Sequence, residues 1–149
     1  MPLITKKNTL QLCVQYQLSS KRQPTRPQFR RWAQVGLKDS AQVTIRLVGL
    51  TEGRRLNLCY RKKDRPTNVL TFVLQDHSPL IGDIVLCAPL ILKEAQLQKK
   101  LLLHHYAHLV IHALLHLQGY DHQNNTDAKK METLEIKLLA GLGIANPYA

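Results

Sequence analysis

His104-His105-Tyr106-Ala107-His108-Leu109-Val110-Ile111-His112-Ala113-Leu114-Leu115-His116-Leu117-Gln118-Gly119-Tyr120-Asp121-His122 is the stretch on which the reading of this chain turns. It holds six of the seven histidines, so an even scatter does not account for it. Leu103, Ala107, Val110, Ile111, Leu114 and Leu115 recur at helical spacing, which predicts a buried or half-buried helix. On that helix His108, His112 and His116 stand four residues apart and share a face. A helix rises about 1.5 Å per residue, so His108 and His116 lie roughly 12 Å apart. Zinc–nitrogen bonds of about 2 Å cannot bridge that distance, which leaves the pairs 108/112 and 112/116. Gly119 selects the second. A glycine just past the last periodic residue predicts a left-handed cap that reverses the chain and brings His122 back towards His116. His112, His116 and His122 are the expected ligands. A helix with satisfied core histidines suits one isolated imidazole better than this glycine-punctuated triplet. His104, His105 and His108 are expected at the surface or in support of the ligands.

The spacing H-x-x-x-H-x-x-G-x-x-H is the metzincin ligand pattern with one departure. Ala113 stands where those proteases carry the glutamate that acts as general base. The metal is kept and the peptidase reading is weakened. Three nitrogen ligands without a fourth protein ligand leave a coordination position open, the mark of a catalytic site.

Length and composition narrow the class. A chain of 149 residues predicts one domain spanning 1–149, with a sizeable core. Met1-Pro2-Leu3-Ile4-Thr5-Lys6-Lys7 lacks the apolar run of a secretory signal, and no apolar segment is long enough to span a bilayer. Cys13, Cys59 and Cys87 are odd in number and widely spaced, and read as buried thiols of a cytoplasmic protein. A net charge of +11 and a pI near 9.9 point to a polyanionic partner. Nucleic acid is favoured over membrane, because no basic amphipathic membrane helix stands out.

Along the chain, residues 9–15 alternate as a half-buried strand, and 41–48 do so again. Between them Thr25 is the expected cap of a short helix carrying Phe29, Trp32 and Val35 and ending at Gly36. A helix capped by Thr51 is expected to turn Leu56, Cys59 and Tyr60 inward. Residues 67–74 and 81–87 read as further strands, and 90–103 as a helix either continuous with the histidine helix or broken from it. Residues 127–139 form a last helix with Met131, Leu134, Leu138 and Leu139 as its apolar stripe. Strands interspersed with helices without regular alternation predict an α+β domain with one mixed four-stranded sheet, the metal helix packing across it.

Several stretches together resemble the YbeY family of endoribonucleases. They are Leu56-Asn57, Tyr60-Arg61, Asp64, Pro66-Thr67-Asn68-Val69-Leu70-Thr71-Phe72, Ile81-Gly82-Asp83-Ile84, the His112–His122 motif with its Gly119-Tyr120-Asp121 tail, and Met131-Glu132 with Glu135. They occur in the expected order and cover essentially the whole chain. One departure is Ala113, where the family pattern usually has glycine. The resemblance implies a zincin-like fold with the metal site at the end of the central helix. It implies a bacterial, cytoplasmic, zinc-dependent, single-strand-specific endoribonuclease that matures the 3′ end of 16S rRNA and serves ribosome quality control. One Zn2+ per chain, held by His112, His116 and His122, is implied. So are the small ribosomal subunit and an Era-type GTPase as partners, with no DNA and no membrane. Arg61 matches the family's functionally important arginine beside the metal.

The chemistry is coherent with that implication. Zinc lowers the pKa of its water to around 7 and polarises a phosphoryl oxygen, and the planar cation of Arg61 suits a phosphoryl transition state. Asp121 is expected either to orient a ligand imidazole or to cap the turn after Gly119, and Asp83 either to act as a base or to serve a turn or pairing role. Lys21, Arg22, Arg26, Arg30, Arg31, Arg54, Arg55, Lys62, Lys63 and Arg65 are expected to form a surface for the RNA backbone. Two rivals stand beside this reading: a peptidase-like zinc hydrolase, and a non-catalytic ribosome-assembly factor that uses zinc to lock a loop.

Overall fold

The computed structural model describes residues 8–18 and 22–149. The order is β1 (Leu10–Tyr16), α1 (Arg26–Gly36), β2 (Ala41–Val48), α2 (Leu50–Arg61), β3 (Val69–Gln75), β4 (Leu80–Cys87), α3 (Ala88–Leu97), α4 (Leu102–Leu117) and α5 (Asn125–Gly141). One mixed sheet runs β1-β2-β4-β3. β1, β2 and β4 are parallel, and β3 returns antiparallel along the outer side of β4. The register slips between Val73 and Gln75, so Leu74 stands without a partner as a bulge. This is the α+β architecture expected, with more alternation than the sequence pattern showed, because β1, α1 and β2 form a parallel crossover unit.

Local chemistry explains most boundaries. Thr25 accepts from the amide of Gln28 at 3.3 Å, and the Gln28 side chain accepts from the amide of Thr25 at 2.8 Å, a complete capping box with Pro27 just inside it. The segment after β4 is not one helix but two. α3 ends at Leu97, Lys99 takes a positive φ of 54°, and α4 starts at Leu102. α2 starts two residues earlier than expected, with Gly49 in place of Thr51 at its cap, and no side chain caps it.

β4 is apolar at nearly every position because it is covered on both faces. Leu80, Ile84 and Leu86 join the main core with Phe29 and Trp32 of α1 and Ile111, Leu114 and Leu115 of α4. Val85 and Cys87 face the other way, into a smaller cluster with Val48, Leu70 and, at its edge, Leu56. α2 covers that second face, and its buried residues are Gly53 and Asn57. Cys59 and Tyr60, expected inward, are exposed. α2 lies close against Cys87 through Gly53, which leaves no room for larger side chains on that line. Cys13 is exposed as well, and only Cys87 of the three thiols is buried. No helix among the described residues is long and apolar enough to cross a membrane.

Candidate metal centre

α4 carries the row of imidazoles, and its end turns them into a cluster. Gly119 takes φ 97°, the amide of Gly119 donates to the carbonyl of His116 (3.0 Å), and the amide of Tyr120 donates to the carbonyl of Leu115 (3.1 Å). These two bonds close the helix as a Schellman cap and reverse the chain, as the glycine predicted. The cap delivers His122 to the face that presents His112 and His116. One ring nitrogen from each of the three lies within 4.8 Å of the others, and no further His, Cys, Asp or Glu joins this group among the described residues. Ligand atoms of a tetrahedral zinc stand about 3.4 Å apart, so small ring rotations suffice for convergence. His112 and His116 are half-buried and His122 is exposed, which leaves the cluster open to solvent on one side.

The residues beneath the cluster complete the fit. Glu135 of α5 is fully buried and lies against two histidines of α4. Burial alone would push its carboxyl up, but hydrogen bonds from His108, His112 and Tyr148 outweigh it and hold the carboxyl at about 2. Glu135 is therefore ionised and can only accept, so Nδ1–H of His112 donates to Oε1 and Nε2 of His112 keeps its lone pair. Burial, and then the nearby rings of His112 and His122, press the pKa of His116 down, which keeps that imidazole neutral and able to donate a lone pair. Three imidazole nitrogen donors, one of them backed by a carboxylate, fit a divalent ion of the zinc type.

The family model described as Endoribonuclease YbeY matches residues 14–143. An endoribonuclease YbeY of Aromatoleum aromaticum is 54% identical over 86% of this chain and 83% of its own length. One of Nitrosomonas eutropha is 50% identical over 92% of this chain and 97% of its own.

The chain belongs to the YbeY family.

Its relatives differ in length: a YbeY of Azoarcus sp., 54% identical over 85% of this chain, is matched over 53% of itself, so the chain spans about half of that protein. The solution structure of TM1509 from Thermotoga maritima shares the fold, with a TM-score of 0.56 and 23% identity over 91% of this chain and 92% of that one.

Other site expectations fare unevenly in this YbeY chain. Arg61 lies exposed at the end of α2, in a polar pocket of about 340 Å³ with Asn57, Lys63, Arg65, Asn68 and Glu94. Among the described residues it makes no hydrogen bond or ion pair with the histidine cluster. The pocket is joined to the histidine helix through Glu94, which accepts from Nε2 of His105 at 3.0 Å and from Asn68 at 3.2 Å. Asp121 serves the turn: its Oδ1 accepts from the amide of His122 at 2.7 Å and makes no bond to an imidazole. Asp83 points away from the cluster. Its neighbour Gly82 faces Leu117 of α4, so Asp83 is on the opposite face of β4, in a pocket with Arg46, Glu52 and Tyr60. Ala113 is fully buried, so its methyl group sits in the core and takes no space from a substrate. Several of the cations expected to meet the RNA backbone are engaged inside the molecule. Arg54 pairs with Asp64 at 2.6 Å, Arg55 approaches Glu52 at 3.6 Å, and Arg26 lies over the Tyr16 ring. Lys21 lies outside the described residues.

Sequence reading missed Glu135 as a partner of the site. The signal was a charged residue inside an apolar stripe, at the fourth residue after Met131 and the fourth before Leu139, both buried.

Proposed function

We propose that this chain is a metal-dependent endoribonuclease that cuts single-stranded RNA, with His112, His116 and His122 holding one Zn2+. The observation that carries the proposal is the three-imidazole cluster with its open side, in a chain of the YbeY family. A divalent ion there supplies Lewis acidity toward a phosphoryl oxygen. The chain's own residues do the rest. The Schellman cap fixes His122 against the helix end, and Glu135 holds His112 with its Nε2 free. Arg61, a permanent planar cation at the end of α2, takes a backbone phosphate of the bound strand. Residues 1–149 act as one catalytic domain. The setting we assign is cytoplasmic maturation of the 16S rRNA 3′ end and ribosome quality control, with the small ribosomal subunit and an Era-type GTPase as partners. A net charge of +11 supports an RNA ligand.

The test is metal analysis and single-stranded RNA cleavage on the same preparations. Wild type should carry about one zinc per chain and cut RNA in a chelator-sensitive way; His116→Ala should lose both. Arg61→Glu should keep its zinc and lose cleavage. Zinc lost with Arg61→Glu would make that residue structural, and zinc-loaded wild type that binds RNA without cutting it would move the reading to an assembly factor. Hydrolysis of peptides in place of RNA would move it to a peptidase; buried Ala113 at the general-base position speaks against that outcome.

A further inference from the structure

Glu135 occupies a place in the fold where an apolar residue would cost less. On α5 it follows Met131 and precedes Leu139 at four-residue steps, and all three are buried, with Glu135 and Leu139 at 0% exposure. A carboxylate there loses its hydration, and only close hydrogen bonds offset that. It receives three. His112 donates through Nδ1, His108 through Nε2 at 3.1 Å, and Tyr148 through its hydroxyl. Tyr148 reaches the site because the chain after α5 folds back along α4. Lys100 Nζ donates to the carbonyl of Pro147 at 2.9 Å, the amide of Tyr148 donates to Asn146 Oδ1 at 2.8 Å, and the Tyr148 ring stands edge-on to His108 at 5.3 Å.

We propose that Glu135 is a positioning residue for the metal, with Tyr148 and His108 as its clasp. Glu135 Oε1 fixes His112 in the Nδ1–H form and sets the plane of its ring, so that Nε2 is the donor presented to the ion. His108, one turn earlier on the same face, and Tyr148 together anchor Oε2, so the carboxylate cannot swing away from His112. Outer partners of this kind orient ligand imidazoles and raise their basicity. Glu135 is not the base of the reaction. It has no exposed surface, and its bonds are directed at the rings and the phenol, so substrate and water do not meet it. Nothing in the sequence pattern of the ligand motif requires Tyr148. The geometry alone brings it in. The proposal rests on His112, His116 and His122 as the ligand set and is independent of RNA cleavage.

The experiment compares wild type, Glu135→Gln, Glu135→Leu and Tyr148→Phe in three readouts. These are the zinc dissociation constant by competition with a chromophoric chelator, the His112 tautomer in metal-free protein by long-range 1H–15N correlation, and the thermal midpoint. Wild type should show His112 as the Nδ1–H tautomer. Glu135→Gln should bind zinc about 10- to 100-fold more weakly, with the two tautomers mixed. Tyr148→Phe should weaken zinc a few-fold in the same direction, since the carboxylate loses one of its anchors. Glu135→Leu keeps the core filled but leaves three donors without their acceptor: it should lower the thermal midpoint and lose zinc affinity together with the single His112 tautomer. Unchanged affinity and tautomer in Glu135→Gln overturns the proposal. Should that variant fail to fold, Tyr148→Phe decides, because Tyr148 is 45% exposed and its hydroxyl can be removed without opening the core. Unchanged zinc binding and tautomer there overturns the proposal as well. Wild-type protein that takes no zinc would instead remove the ligand set. Zinc-loaded wild type that leaves RNA intact would remove the endoribonuclease reading and leave Glu135 in its role.

Discussion

Ala113 and Glu135 show what a single position carries. The methyl group of Ala113 is in the core, and alanine is the better helix former by about 1 kcal/mol over glycine. Ala113→Gly should therefore lower stability by roughly that amount in denaturant titration and leave zinc content unchanged. Glu135 makes stability depend on acid. Its carboxyl is held at about 2 in the folded chain against an ordinary 4.5. A depressed folded value means that the contribution is complete above about 4.5 and is lost as the pH falls from there towards 2. The linked free energy is about 3 kcal/mol. Metal-free wild type should lose its thermal midpoint more steeply over that window than Glu135→Gln, which has no such group to protonate. The convergence of His112, His116 and His122 was legible in the sequence because all its constraints lie within eleven consecutive residues and one glycine. Glu135 was not, because its meaning depends on α5 crossing α4, a relation between residues more than twenty positions apart.

At the scale of elements, the close approach of β4 and α4 sets where the histidine helix ends. A methyl group on Gly82 would stand 2.8 Å from a Leu117 methyl and 3.1 Å from the carbonyl oxygen of Phe72. The side chain can yield, but the backbone carbonyl cannot. Leu117 is the last residue of α4, so relief would push the turn that carries His116. Gly82→Ala should cost about 1–3 kcal/mol and weaken zinc binding, read by thermal melts and chelator competition on the same samples. Helices with side-chain caps and strands with clean alternation were legible: α1 with its capping box, β2 with its alternating burial. α2 was read only in part. It has no capping side chain; Leu56 packs on the second cluster as expected, but Gly53 and Asn57 are its buried residues, and Cys59 and Tyr60 face solvent. Asp83 was misplaced for a related reason. Parity along a strand fixes which residues share a face, but only the packing of Gly82 on α4 says which face belongs to the metal helix.

At the scale of the whole molecule, the mixed sheet was legible as a class, but its order β1-β2-β4-β3 was not. The contact of β2 with β4 joins segments separated by α2 and β3, and no local pattern records such a pairing. That order also puts β3 at the rim, with Val73 and Leu74 both exposed. A straight apolar rim invites a second chain to add its own strand, and the bulge at Leu74 breaks the rhythm of donors and acceptors there. Deleting Leu74 should restore an unbroken ladder between β3 and β4. The resulting protein should self-associate in a concentration-dependent way by sedimentation velocity, while wild type at the same concentrations does not. On that outcome, one surplus leucine guards the rim of the sheet against polymerisation.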